Sequence, residues 1–505
     1  MKSILACLTA FLLAAVVDDR YVGATAAADT LPATSIGPAV LDDWGNRFTS
    51  LGASVPENSL RTQIRTTIAQ LAMFDAVNAV LEGPYRPFAS TPASAPGASP
   101  EAAAIRAAYI VALNEFPTQA ATIDSAYAAS IAAVPASPEA IADGIVVGEA
   151  AANGVLAARV GDHRNDPELE GYSPASGPGA WIPTPPAFAN PQTPFLRFVT
   201  PFGYHDPARF RPHGPPDLDH RTYTADYNEI EDLGRATDTS RTAEQSATAL
   251  FWSPSASALW SANVRSLASS MDLLTAARFE AIGLAAVSNS LIACWDAKYT
   301  YVFWRPVTGI PAGDTDGNTE TEPDAEWTPF ITTPSHPEYP SAHTTVGAGT
   351  LGLYKEWFGT DHFPLDFKGN AGAVRQYTSA TEMLAEEGNA RVWGGMHWRH
   401  STEVGARLGR RVGAYTATHL LMPRRGTDRD GDEEEEDRGC AAGAPRHPQA
   451  VGYALARFDL RPSGLEGLGS REVGGLEDGL GPGPVPTLEP EPFGPDDVRQ
   501  RVTNR

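Results

Sequence analysis

Lys298-Tyr-Thr-Tyr-Val-Phe-Trp-Arg305-Pro306 is the stretch on which the reading of this chain turns. Lys298 and Arg305 are seven positions apart. On an α-helix seven residues sweep about 700°, close to two full turns, so both cations are expected on one face. Ala297, Val302, Phe303 and Trp304 surround them, which predicts a buried helix. Two cations on a buried helix need an anion, because an unpaired buried charge is costly. The alternative, a pair of snorkelling surface cations, does not suit such apolar surroundings.

Two further segments extend the pattern. Pro337-Glu-Tyr-Pro340-Ser341-Ala342-His343-Thr344-Thr345 precedes an apolar helical stretch from Val346. Pro340 breaks the backbone, so Ser341, Ala342 and His343 are expected at a helix N-terminus, where free N–H groups and the helix dipole favour an oxyanion. Ser341 adds a hydroxyl donor, and His343 offers a proton-transfer group. Taken alone, Ser341 reads as an ordinary N-cap. The third segment is Arg391-Val-Trp-Gly-Gly-Met-His397-Trp-Arg399-His400. Arg391 and His397 fall on different faces of an ideal helix, but Gly394-Gly395 permits a turn that brings both to one point. Together the segments supply Lys298, Arg305 and Arg391 as cations, Ser341 and backbone amides as donors, and two histidines. That set describes a receptor for a tetrahedral or trigonal-bipyramidal oxyanion such as phosphate or vanadate.

Outward from these segments, apolar residues recur at helical spacing over 57–81, 100–115, 118–134, 137–160, 222–236, 241–253, 255–272, 274–304, 342–358, 370–387 and 396–420. Ser99-Pro100-Glu101 and Ser137-Pro138-Glu139 read as capped helix starts. Strand alternation is scarce. The expected fold is all-α: a helical bundle with long ordered loops. N-terminal helices span 40–160, an irregular Pro- and aromatic-rich excursion spans 165–220, and the anion-site half spans 241–421.

The ends differ from this body. Lys2 followed by the apolar run Ile4–Val17, with Ala24-Thr25-Ala26 as a cleavage candidate, reads as a signal peptide over 1–28. A secreted or periplasmic protein is expected. No other stretch approaches 18 apolar residues, so no membrane association is expected once the signal is removed. After the 29–421 body, residues 422–505 are rich in Gly, Pro and acid, including the run Asp428–Asp437, and read as a disordered tail. The 505 residues carry 38 basic and 61 acidic side chains, a net charge of −23. Such an acidic chain is a poor partner for nucleic acid. Three cysteines make no disulfide framework. Cys7 would leave with the signal, and no bond is expected between Cys294 and Cys440.

The order Lys-x6-Arg-Pro, Pro-Ser-x-His, Arg-x5-His resembles the superfamily that unites type 2 phosphatidic acid phosphatases, bacterial acid phosphatases and vanadium-dependent haloperoxidases. Looser similarity to bacterial vanadium haloperoxidase-like proteins includes Asp75-Ala-Val-Asn78, Arg241-Thr-Ala-Glu-Gln245 before Phe251-Trp252, and Asp314-Thr-Asp-Gly-Asn318. The resemblance implies a helical bundle of that type with vanadate as cofactor, or phosphate in the same pocket. It implies that Lys298, Arg305 and Arg391 hold equatorial oxygens, with Ser341 and the Ala342 amide as donors. It makes His343 the acid–base residue, and His397 the vanadium ligand or, in a phosphatase, the nucleophile. Trp295 matches an aromatic near a halide site, and His336 matches a second histidine of algal bromoperoxidases. Hydrogen peroxide, halide and an organic acceptor would be the small-molecule partners.

Two positions depart from the family pattern. Ala342 stands where Gly is usual and is tolerable only at negative φ. Ser401 stands where an Asp often follows four residues after the last His, which weakens a phosphatase more than a peroxidase. Asp314, Asp316, Asn318 and Glu320 alternate like calcium ligands but lack the full loop, so a surface turn is expected. Three functions follow: a secreted vanadium-dependent haloperoxidase-like enzyme, an exported acid phosphatase with a phosphohistidine intermediate, or a non-catalytic oxyanion-binding helical protein with a degenerate site. A chain trimmed to 29–424 is expected to unfold in a single cooperative transition at an unchanged Tm. Calorimetry checks this, and a lost transition would make the tail structural.

Overall fold

A computed structural model describes residues 37–424 apart from 56–58, 90–91 and 94. The proposed signal, Cys7, Cys440 and the acidic run all lie outside the described residues. The helices are α1 (Ala39–Ala53), α2 (Ser59–Val80), α3 (Pro100–Glu115), α4 (Ala120–Ala132), α5 (Pro138–Ala158), α6 (Arg221–Leu233), α7 (Ala243–Phe251), α8 (Ala256–Ala268), α9 (Leu273–Tyr301), the single turn α10 (Pro306–Gly309), α11 (Ala342–Phe358), α12 (Ala380–Trp393) and α13 (Arg399–His419). One short hairpin, β1 (Leu365–Lys368) and β2 (Val374–Tyr377), is the only sheet among the described residues. The all-α expectation holds.

Local chemistry sets the helix starts. Ser99 accepts from Ala102 N at 3.2 Å and Ser137 from Ala140 N at 3.2 Å, each with proline in the first turn. Asp272 caps α9 by accepting from Thr275 N at 3.0 Å. Helix α9 is apolar all round, and every residue from Phe279 to Tyr299 is buried. It can be so because α2, α8, α11 and α13 pack around it. By length and composition α9 and α5 could each cross a bilayer, contrary to the reading that no such stretch exists. Helix α9 is enclosed by protein, and α5 exposes Asp143 and Glu149.

Two expectations are corrected. Lys298 and Arg305 do not share a helix. Helix α9 ends at Tyr301, and Val302 turns left-handed at φ 48°. Arg305 is extended, at φ −87° and ψ 155°, because the ring of Pro306 disfavours helix in the residue before it. Residues 302–304 bond instead to the excursion, Trp181 N to Val302 O and Trp304 N to Gly179 O, both at 2.8 Å. The helix read over 370–387 is partly the β hairpin. There Phe367 alternates inward, with its ring 4.8 Å from that of Trp252 and 4.9 Å from that of Trp260, and α12 starts only at Ala380. Helix α1 falls inside the helical span expected over 40–160, although periodicity did not mark it separately, and it buries Trp44, Phe48 and Leu51 against α2 and α3.

The excursion is tied to the core by polar anchors. Gln192 O accepts from Trp295 Nε1 (3.2 Å) and Tyr299 Oη (2.6 Å), and Arg211 grips Asp296 through two bonds of 2.6 and 2.5 Å. Helices α11 and α13 approach so closely that their contact is made by Gly405, Gly409 and Gly413, one per turn of α13. A Cβ at Gly409 would stand 2.0 Å from Thr345 O, and one at Gly413 would stand 1.9 Å from Gly349 O. Gly409→Ala is expected to force the two helices apart, destabilising the protein by roughly 1–3 kcal/mol. Thermal unfolding measures this, and an unchanged Tm would show that the contact is slack.

Candidate functional site

The C-terminal end of α9, the loop 336–341 with the start of α11, and the α12–α13 turn meet at one place. Lys298 is wholly buried, and its three ammonium hydrogens have three acceptors in that loop: Pro337 O (2.8 Å), Glu338 O (2.8 Å) and Pro340 O (2.6 Å). Burial pushes this ammonium down to about 7. The three carbonyls oppose that shift, because only the charged form has three N–H groups to give. Arg305 is equally buried. It donates from Nε to His336 O (3.0 Å), from Nη1 to Met396 O (2.8 Å) and His397 Nε2 (3.1 Å), and from Nη2 to His336 Nδ1 (2.9 Å). Burial lowers its guanidinium to about 10.

The Gly394-Gly395 turn forms after α12, with Gly395 at φ +76°. It carries Met396 back so that Arg391 Nη2 contacts its Sδ at 3.0 Å, while Arg391 Nη1 donates to Trp252 O at 2.9 Å. Burial lowers Arg391 to about 9, offset by Glu387 one turn earlier, itself pushed up by burial to about 8. The Arg391 Nε and the Ser341 Oγ are buried without a hydrogen-bond partner. Ser341 occupies the N-cap position of α11 but its side chain makes no cap bond, so ordinary capping does not explain it. Ala342 lies in the first turn of α11 and is not among the positive-φ residues, so its Cβ brings no backbone strain.

His343 is half-buried and is the site group most open to solvent. Its Nε2 donates to Pro254 O at 2.9 Å, and burial and the Arg391 charge hold its pKa well below the usual imidazole value. Burial, then the Arg305, Lys298 and Arg391 charges, likewise push the His397 imidazole well below its usual value. The Trp295 and His336 rings pack at a tilt of 44° with centroids 5.0 Å apart, and the Lys298 Nζ lies 5.9 Å from the Trp295 ring. All nine residues picked from the sequence therefore lie on α9 and the chain just after it, on the loop 336–341 with the start of α11, or on α12 and the turn that leads to α13. Their unsatisfied donors, neutral imidazoles and cations suit a vanadate or phosphate oxyanion chemically.

One residue was missed. Glu338 is fully buried and accepts from His397 Nδ1 (2.7 Å), Trp398 N (3.2 Å) and Ser401 Oγ (2.6 Å). Burial raises its carboxyl to about 7, while Arg305 and the Ser401 hydroxyl pull it down. Only its place three residues before Ser341 could have drawn attention to it. The Asp314–Glu320 loop has its oxygens in turn bonds: Asp316 accepts from Asn318 N (2.8 Å) and Thr321 Oγ1 (2.9 Å), and Asn318 Oδ1 from Glu320 N (3.0 Å). No group of three or more metal-holding His, Cys, Asp or Glu occurs among the described residues. Cys294 is a buried free thiol, 3.6 Å from Pro340 O.

Residues 278–426 match the family described as the VCPO second helical-bundle domain. No match was found among curated proteins. Among solved structures, the first bacterial vanadium-dependent iodoperoxidase is similar with TM-score 0.66 and 23% identity over 78% of this chain and 99% of that one. A holo-type bacterial vanadium-dependent chloroperoxidase is similar with TM-score 0.56 and 20% identity, over 71% of this chain and 90% of the other. The apo-type chloroperoxidase gives TM-score 0.54 and 19% identity, over 70% and 91%. The chain therefore has the fold of these vanadium-dependent haloperoxidases, and its residues 278–426 are similar to the VCPO second helical-bundle domain.

Proposed function

We propose that this protein is a vanadium-dependent haloperoxidase-like enzyme that oxidises halide with hydrogen peroxide. The observation that carries the reading is His397 Nε2, which accepts from Arg305, beside two buried donors that lack an acceptor, Ser341 Oγ and Arg391 Nε. Vanadate, when bound, would supply a Lewis-acidic centre that activates peroxide without redox change at the metal. His397 would hold it through Nε2, the lone-pair nitrogen. Arg305, Arg391 and Lys298 would balance the charge of its oxygens, and Ser341 and the amides at the start of α11 would donate to them. The Nε2–H of His343 is engaged with Pro254 O, so its Nδ1 is the basic atom able to take a proton. The Trp295–His336 pair flanks Arg305 and is the candidate halide neighbour. Export to a secreted or periplasmic location belongs to the same reading and is supported by the Lys2 and Ile4–Val17 pattern.

A phosphatase is the second reading, and one observation favours it. The Asp missing at position 401 has a counterpart in Glu338, 2.7 Å from His397 Nδ1, so the imidazole keeps an orienting carboxylate and an unprotonated Nε2, which would have to exchange its Arg305 contact for phosphorus. The degenerate-site reading rested on Ala342 and Ser401, and each has a benign structural answer. A paired assay on purified protein separates the three. Vanadate, peroxide and iodide or bromide are expected to give hypohalous acid, whereas a phosphomonoester without vanadium is expected to stay intact. Phosphate release that vanadate inhibits would reverse the assignment, and silence in both arms with no anion binding would leave a non-catalytic protein.

The two histidines are expected to differ. His397→Ala removes the proposed anchor, so peroxidase activity should fall more steeply than anion affinity, which the cations sustain. His343→Ala should leave affinity nearly intact and slow the proton-dependent step by roughly 10²–10⁴-fold. Vanadate titration alongside single-turnover kinetics measures both, and equal losses in the two variants would contradict the division of roles.

A further inference from the structure

We propose that Glu338 is the positioning residue of His397: with Ser401 it fixes the imidazole tautomer, in place of an aspartate carried by α13 itself. The inference rests on reading His397 as the anchor of the anion.

The tautomer follows from the two neighbours of the ring. A guanidinium can only donate, so at 3.1 Å from Arg305 Nη1 the His397 Nε2 must hold a lone pair. A neutral imidazole then carries its proton on Nδ1, and the atom 2.7 Å away, Glu338 Oε1, accepts it. The carboxylate is itself held by donors on both oxygens. Trp398 N reaches Oε1 at 3.2 Å and Ser401 Oγ reaches Oε2 at 2.6 Å. All three donors lie on the segment that starts α13, so one carboxylate clamps the ring, the backbone after it and the side chain one turn later.

The backbone of Glu338 is fixed as firmly. Its N–H donates to Phe303 O at 2.9 Å, and its carbonyl accepts from Lys298 Nζ at 2.8 Å. Glu338 thereby joins the end of α9, the start of α11 and the start of α13. Ser401 stands four residues after His397, in the first turn of α13, and its side chain meets the same Glu338 carboxylate that His397 Nδ1 meets. Here that position bears a hydroxyl, and the hydroxyl supports a carboxylate delivered from the opposite wall. The parts of the usual arrangement are all present but distributed over two segments.

Outer partners of this kind orient a ligating histidine, and losing one typically costs 10–100-fold in affinity. The test uses the full chain labelled with ¹⁵N-histidine, His397 being assigned from a His397→Gln sample. In the native protein the proton is expected on Nδ1. Glu338→Ala is expected to release it to a mixture of tautomers and to weaken vanadate binding roughly 10–100-fold. Glu338→Ala/Ser401→Asp returns a carboxylate from the other wall and is expected to recover most of both. Should Glu338→Ala not fold, the isosteric Glu338→Gln decides by the same two readouts, with an intermediate loss expected. A native Nε2–H tautomer, or a folded Glu338 variant with native tautomer and affinity within about twofold, would overturn the proposal. The tautomer readout needs no anion. If the native protein binds no vanadate, the anchor reading fails separately, while the tautomers still decide the role of Glu338.

Discussion

Three cations buried in a helical interior constrain the rest of this structure. Lys298, Arg305 and Arg391 are each at most 1% exposed. Charges so placed must be given acceptors, or the chain cannot fold around them. The acceptors are mainly main-chain carbonyls. Pro337, Glu338 and Pro340 serve Lys298, His336 and Met396 serve Arg305, and Trp252 serves Arg391. Helices have few spare carbonyls, so the segments facing the cations are necessarily irregular. The proline-rich loop before α11 and the glycine turn before α13 are the form that requirement takes. The same loops leave Ser341 Oγ and Arg391 Nε without partners, which is where an oxyanion has chemistry to find.

The irregular site is held by a regular frame. Helix α9 is sheathed by four others, and α11 rests on α13 through glycines whose missing side chains let backbones nearly touch. Because α11 begins at the Ser341 cap and α13 begins just after His397, that contact sets the distance between the donor end of one helix and the imidazole before the other. Rigidity in the frame and precision in the site are the same property, since positioning within about half an ångström depends on packed supports.

Departures from a family pattern mislead when read one position at a time. Ser401 in place of an acidic residue looked like a loss for phosphotransfer chemistry. The structure holds a carboxylate against the same nitrogen from a different segment. Ala342 looked like a threat of strain, and its φ is that of an ordinary helical residue. Both corrections concern distances across the fold, which linear spacing does not encode.

The sequence by itself determined the helical class, most helix spans, the capped starts at Ser99 and Ser137, and the residues that converge on the site. These are consequences of apolar periodicity and of charges placed where burial was evident. Other features belonged to tertiary structure. Lys298 and Arg305 meet because the chain reverses at Val302, not because two turns of helix align them. The 365–377 hairpin exists because Phe367 fills the space beside Trp252 and Trp260, and local propensity could not anticipate that pocket. Glu338 gained its role from neighbours 59 to 63 residues away. The physical reason is common to all three. Periodicity reports which face of an element is buried, whereas the partner that a buried polar group finds depends on how distant segments are brought together.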